Sequence, residues 1–238
     1  MATAPDNREL PAVVSRFDLA ILAKAPIADY AKTRLIPLLG SQGAADLQDW
    51  LIQKTVASGV SSGFRKVALW CSPDCAHSCF AHCRDDLGVS LYAQPEGDLG
   101  ARMLLAARLG AESYGTVIVG TDCPTLTSED LALACQEIVA GNDAVAIPAE
   151  DGGYVLIAMR HAYPELFSEI DWGTSRVMEQ TRERAYRAGI RLVELPPKWD
   201  VDVPDDYWRL ESAYPEVRQT SRLPGGRQNE TALEAACR

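Results

Sequence analysis

"TVIVGTDCPTLTSED", residues 116–130, passes from an apolar run through a turn into the start of a helix. Val117 to Val119 are β-branched and apolar, the side chains that suit a buried strand. Gly120 ends that run, Asp122 stands at its carboxyl end, and Pro124 turns the chain away. Thr127, followed three residues later by Asp130, reads as a capping pair for the helix that comes next. A strand that feeds a helix through a short turn is half of a βαβ unit, the building block of a parallel sheet.

The same alternation extends in both directions. Strands are expected at 17–23, 66–71, 89–93, 116–120, 144–148, 154–159 and 191–195, and helices at 42–58, 73–86, 99–112, 128–140, 174–188 and 205–212. In the fifth helix Thr174, Val177, Met178, Thr181, Ala185 and Ala188 recur at helical spacing, with Arg182, Glu183 and Arg187 on the other side, so one face packs inward. The expectation is an α/β fold, a mostly parallel mixed sheet with helices on both faces. Its boundaries are an N-terminal extension at 1–15, one domain at 16–214 and a loose tail at 215–238. Ligands of such sheets bind beyond the carboxyl ends of the strands, which directs attention to the loops that follow them.

Composition excludes several functions. A formal charge of −10 argues against nucleic acid as a partner, because binding a phosphate backbone needs a basic face. No apolar run approaches the roughly 20 residues that span a bilayer. "MATAPDNREL" lacks the basic start and apolar core of a signal peptide, so a cytoplasmic protein is expected, and in such a chain seven cysteines, an odd count, do not suggest a disulfide framework. Cys71, Cys75, Cys79 and Cys83 recur every four residues, with His77 and His82 among them. On one helix that spacing makes a stripe rather than a tetrahedron, so these side chains are expected to be small apolar groups on a helix face.

Four loops carry candidate chemistry. After the first strand, Lys24, Lys32 and Arg34 gather within "LAKAPIADYAKTRL", where they could neutralise a diphosphate, lysine as a point charge and arginine as a two-toothed grip. The loop has no glycine-rich cradle, so side-chain charge must do the binding. Asp122 suits a hard divalent cation, and equally a hydrogen bond within its turn. In "PAEDGGYVLIAM", Glu150 and Asp151 precede two glycines that permit positive φ and close backbone approach; the same stretch also reads as a hairpin turn. In "KWDVDVPDDYWRL", Asp200 and Asp202 alternate and would face the same way in an extended segment, although Asp202 could also cap the helix that begins at Pro204.

Taken together, the ordered motifs Lys-Ala-Pro…Lys-Thr-Arg-Leu, Gly-Asp-Leu-Gly-x-Arg-Met, Gly-x-Asp-Cys-Pro, Glu-Asp-Gly-Gly-Tyr, Trp-x-Thr and Asp-Val-Asp-x-Pro-x-Asp span 17–210. They resemble a bacterial family of small glycosyltransferase-A (GT-A) fold proteins of poorly defined function, some described as arsenosugar-biosynthesis glycosyltransferases. The resemblance implies a nucleotide-diphospho-sugar transferase-like fold and a divalent metal, Mg²⁺ or Mn²⁺. It implies that Lys24, Lys32 and Arg34 are phosphate-side cations, with Lys32 and Arg34 acting in catalysis. It makes Asp122 and Asp202 the metal ligands. Gly97, Asp98, Gly100 and Arg102 match a loop near the nucleotide or sugar. Asp151, Gly152, Gly153 and Tyr154 match an acceptor-side loop, with Asp151 the candidate base. One position departs: the family commonly has glycine where Asp29 stands, which adds negative charge beside the expected phosphate site and removes backbone freedom.

The implied activity is metal-dependent glycosyl transfer from a nucleotide-diphospho-sugar to a small-molecule acceptor. The Lys-Thr-Arg-Leu loop is also similar to that of phospholactate guanylyltransferases. The alternative is therefore nucleotidyl transfer from a nucleoside triphosphate to a small phosphorylated acceptor, with release of pyrophosphate. A non-catalytic nucleotide-binding protein is the third reading.

Overall fold

A computed structural model of the chain describes residues 10–220, except residue 111. All seven expected strands form, each within one residue of its expected bounds: β1 (Phe17–Lys24), β2 (Lys66–Ser72), β3 (Ser90–Ala93), β4 (Gly115–Val119), β5 (Ala144–Pro148), β6 (Tyr154–Met159) and β7 (Leu192–Glu194). They join one sheet in the order β3-β2-β1-β4-β6-β5-β7. β6 runs antiparallel to both of its neighbours, β4 and β5, and every other pairing is parallel. The chain moves outward from β1 to β3 and then returns to the opposite side of β1 as β4. The carboxyl ends of β1 and β4 therefore flank the point where strand order reverses, the place such sheets leave open for a ligand.

Around the sheet lie α1 (Leu10–Val14), α2 (Ile36–Ser61), α3 (Ser78–Leu87), α4 (Leu99–Leu109), α5 (Ser128–Val139), α6 (Val177–Ala188), α7 (Pro204–Ala213) and α8 (Val217–Thr220). Alternation along β1 divides the core as a pleated strand requires. Leu19, Ile21 and Ala23 point to one side, against Ile52 and Val56 of α2, Phe80 of α3 and Leu131 and Ile138 of α5. Ala20 points to the other, in a cluster with Trp70, Ile118, Met103 of α4 and Ala185 of α6. A third cluster joins Leu47 and Leu51 of α2 to Val201, Tyr207 and Leu210, and so anchors the approach to α7 against the body of the protein.

Two sequence expectations need correction. Cys71 is the penultimate residue of β2, opposite Ala23 of β1, Cys75 lies in the following loop, and Cys79 and Cys83 sit on α3. The helix starts late because His77, not the region of Pro73, caps it: the His77 Nδ1 accepts from the Cys79 amide. The four cysteines are therefore not one helix stripe, although Cys71, Cys79 and Cys83 are buried as small apolar side chains would be. α2 begins six residues before its expected start, across a break at Gly40 with φ 72° and ψ 166°. Within the expected tail, Val217 is buried and begins a short helix; the remainder, 221–238, lies outside the described residues, as do residues 1–9 of the expected N-terminal extension. Among the described residues no helix is long and apolar enough to cross a membrane.

Candidate active site

At the strand-order reversal a cleft of about 680 Å³ opens, a size suited to a small organic ligand. Its walls include Lys24 at the end of β1, Lys32, Thr33 and Arg34 from the next loop, Gln94 after β3, Arg102 and Met103 from α4, Asp122 after β4, Tyr154 at the start of β6, and Asp200 and Asp202. Gly97, Asp98, Gly100, Asp151, Gly152 and Gly153 are not among the cleft-lining residues. Asp98 caps α4, accepting from the Ala101 amide at 2.8 Å, while Gly100 packs against the Trp172 ring and the Phe167 carbonyl.

Cations and carboxylates meet on one side of the cleft. Lys32 Nζ lies 2.5 Å from Asp122 Oδ1 and 3.4 Å from Asp202 Oδ1, and donates to the Val201 carbonyl at 2.6 Å. The Val201 amide donates back to the Asp122 carbonyl at 2.8 Å, so the loop after β4 and the segment before α7 are joined through both backbone and side chain. Arg34 stands outside this knot, 71 % exposed, with a terminal nitrogen 3.7 Å from Asp202. Lys24 Nζ lies 4.1 Å from the centre of the Tyr30 ring, and both residues line the cleft.

Asp202 is free for this role because it does not cap α7. The cap position is Val203, and Asp206 Oδ2 accepts from the amides of Asp202 and Val203, both at 2.9 Å. Proline in the first turn of α7 loses no bond, since that amide has no helical partner. On the far edge, Asp151 belongs to the five-residue connection between the antiparallel strands β5 and β6, so the hairpin reading of that stretch holds as well. Its Oδ1 accepts from the Gly153 amide at 2.8 Å.

Carboxylate oxygens of Asp151, Asp200 and Asp202 all lie within 4.8 Å of one another. Of the expected metal pair only Asp202 belongs to this cluster, Asp122 being paired instead with Lys32, and Asp200 was visible in the sequence only as the alternating partner of Asp202. Burial first, then the neighbouring charges of Asp151, Asp202 and Asp122, pushes the Asp200 carboxyl up to about 6. That excess of negative charge, carried entirely by oxygen ligands, fits a hard divalent cation. In chelator, the shift acts on stability in a definite direction. An unfolded aspartate ionises near pH 4; between about 4 and 6 the folded state keeps a proton that the unfolded state has lost, so stability falls as pH rises through that window. Asp200→Asn is expected to raise the thermal midpoint above pH 6 and to lose that advantage below pH 4, measured in EDTA.

Two further features of the cleft were not legible as site residues. Gln94 Nε2 donates to the carbonyls of Ala23 and Trp70 at 3.2 and 2.8 Å, which turns its Oε1 toward Arg102 at 3.2 Å. Gln48 Nε2 donates to Thr121 Oγ1 at 3.1 Å beneath the Asp122 loop. The departure at Asp29 is accommodated: its backbone has φ 63°, the left-handed conformation that aspartate tolerates better than most residues, and its carboxylate accepts from Ser41 Oγ. Asp29→Gly is accordingly expected to change stability by no more than about 1 kcal/mol. Asp29→Val, β-branched at positive φ, is expected to cost roughly 2 kcal/mol in a thermal or urea melt.

The model of a family described as "Uncharacterized protein conserved in bacteria (DUF2064)" matches residues 55–174, half of the chain. No curated protein sequence matches it. Among solved structures, one described as a nucleotide-diphospho-sugar transferase from Desulfovibrio desulfuricans G20 is similar at 27 % identity and a TM-score of 0.74, over 93 % of this chain and 94 % of that one. A CMP:2-keto-3-deoxy-manno-octonic acid synthetase complexed with CTP is similar at 12 % identity and a TM-score of 0.56, over 84 % and 98 %. Glucosyl-3-phosphoglycerate synthase from Mycobacterium tuberculosis, in complex with Mn²⁺, UDP and glucosyl-3-phosphoglycerate, is similar at 11 % and 0.54, over 95 % and 88 %. The last two likenesses are of fold alone. The fold is that of the nucleotide-diphospho-sugar transferases, with the mixed sheet and surrounding helices described above.

Proposed function

The chain belongs to the family of proteins conserved in bacteria whose model it matches, and on that footing we propose that it is a metal-dependent glycosyltransferase using a nucleotide-diphospho-sugar donor and a small-molecule acceptor. The observation that carries this reading is the meeting, in one cleft, of Lys24, Lys32 and Arg34 with Asp122, Asp200 and Asp202. Such an arrangement suits a diphosphate held between cationic side chains and a carboxylate-bound ion.

Asp122 and Asp202, with Asp200 two residues before Asp202, would hold the ion, Mg²⁺ or Mn²⁺. When bound, it would neutralise the charge that develops on a departing nucleoside diphosphate. Arg34, exposed and aimed at Asp202, takes phosphate oxygens, and Lys24, which lines the same cleft, is a second cation for them. Arg102 and Tyr154 border the space left for the nucleoside or sugar. Gly97 and Asp98, with the cap that Asp98 forms, and Gly100, against Trp172, set the angle of α4 and so place Arg102. Gly152 and Gly153 set the turn that carries Asp151. Asp151, exposed at the rim, accepts the acceptor hydroxyl's proton as the acceptor oxygen bonds to the anomeric carbon and the bond from that carbon to phosphate oxygen breaks.

Nucleotidyl transfer is the competing reading, because the same cleft could hold a nucleoside triphosphate while an acceptor attacks its α-phosphorus. The products separate the two. The protein is incubated with Mn²⁺ and either nucleotide sugars or nucleoside triphosphates, each with a panel of small acceptors. Nucleoside diphosphate formation supports glycosyl transfer; acceptor-dependent pyrophosphate release rejects it. Metal-dependent binding without turnover across the panel leaves a nucleotide-binding protein.

A further inference from the structure

An ammonium group has three N–H donors, and those of Lys32 have three oxygen partners within reach: Asp122 Oδ1 at 2.5 Å, the Val201 carbonyl at 2.6 Å and Asp202 Oδ1 at 3.4 Å. The side chain is 5 % exposed, whereas Asp122 and Asp202 are 46 % and 40 % exposed and open toward the cleft. Its backbone is also committed, with φ 47° and ψ 42° just before the 3₁₀ turn Thr33–Leu35. Lys32 thus faces inward to the carboxylates while Arg34, two residues on, stays 71 % exposed. An ammonium satisfied in this way cannot also grip a phosphate. A dication shared by Asp122 and Asp202 would have to lie within a few ångströms of it, where like charges repel strongly at low effective dielectric.

Resting on the functional reading above, we propose that Lys32 is a positioning residue, the resident counter-cation of the carboxylate site, and that it holds Asp122 and Asp202 together until a divalent ion and a nucleotide's phosphates replace it jointly. The ion removes the negative charge that retains the ammonium, and the phosphates give the released ammonium a new partner. Either ligand alone gains only half of that exchange. Ion binding is therefore suppressed in the free protein and coupled to the nucleotide, and by reciprocity the nucleotide binds poorly without the ion.

The test is titration of Mn²⁺, followed by the paramagnetic resonance of the free ion, into wild type and Lys32→Met, with and without an equimolar mixture of ADP, GDP, CDP and UDP. Wild type is expected to bind Mn²⁺ weakly alone and at least about tenfold more tightly with the nucleotides. Lys32→Met is expected to bind Mn²⁺ alone at least about tenfold more tightly than wild type does, and to lose most of the coupling. A residue that only braces the fold would not raise ion affinity when removed. In a melt the variant is expected to unfold at lower temperature in EDTA and to recover when Mn²⁺ takes the lysine's place. Coupled binding in wild type with unchanged or weaker Mn²⁺ binding in Lys32→Met overturns this inference and leaves the functional reading standing. A variant that stays unfolded with and without Mn²⁺ also overturns it. Absence of Mn²⁺ binding to wild type under both conditions rejects the metal-dependent reading and this inference together.

Discussion

Asp122→Asn and Asp202→Asn are each expected to weaken Mn²⁺-dependent nucleotide binding by at least about 100-fold, since losing only a partner that orients a ligand already costs up to about that much at a metal centre. Calorimetry against a panel of nucleotides, with Mn²⁺ and with EDTA, measures it. The isosteric amide is the informative change because Lys32 keeps an oxygen acceptor at 2.5 Å from one site or 3.4 Å from the other, and a buried ammonium is not stripped of its partners. Only the negative charge goes. Relief of the repulsion that raises the Asp200 carboxyl should partly offset any loss of stability. A loss of binding is then a loss of charge complementarity, not of folding. Equal affinity in EDTA and Mn²⁺ for the wild type, or full affinity in both variants, would remove the carboxylates from the binding site.

The central strands were readable because their burial is nearly complete. β1, β4 and β5 are predominantly apolar stretches whose residues are buried with few exceptions, and such stretches leave little room for another assignment. The capping box of Thr127 and Asp130 was readable for the opposite reason, as a purely local bond pattern. What local pattern could not supply was partnership at a distance. Nothing near Lys32 indicates that its ammonium is held by Val201, 169 positions away; the same lysine in isolation reads as a free phosphate ligand. Asp200 showed its alternation with Asp202, but its burial, which decides its chemistry, depends on the fold around both. Gln94 offered no signal at all, since an amide becomes a site feature only when three strand ends surround it. The cysteine series misled because a spacing of four suits a helix, whereas the strand pairing of Cys71 with β1 took precedence.

Gly152→Ala should show the largest loss of stability of any single methyl addition in the carboxylate-bearing loops. Gly152 has φ +94°, and an added Cβ would lie 2.1 Å from the Ser175 carbonyl oxygen and 2.7 Å from its carbon, both backbone atoms. Rotamer change cannot relieve such a clash. The Gly152 amide donates to the Ala149 carbonyl at 3.1 Å, and its own carbonyl accepts from the Met178 amide in the first turn of α6 at 2.8 Å, so the loop cannot retreat without breaking a helix start. Strain at positive φ contributes about 1 kcal/mol and forced displacement of packed backbone roughly 1–3 kcal/mol more. The sum, about 3 kcal/mol, corresponds in a chain of this size to a fall of roughly 6–12 °C in the thermal midpoint. Gly141 supplies the control, with a similar φ of +105° and nothing within 4 Å of an added Cβ. Gly141→Ala should therefore show the conformational cost alone, near 1 kcal/mol. The difference between the two melts isolates the close approach of Gly152 to Ser175, and because Asp151 precedes that glycine directly, the same change should weaken turnover more than donor binding. If both alanines cost the same, the loop is free to move, and Asp151 is not held where the proposed proton transfer needs it.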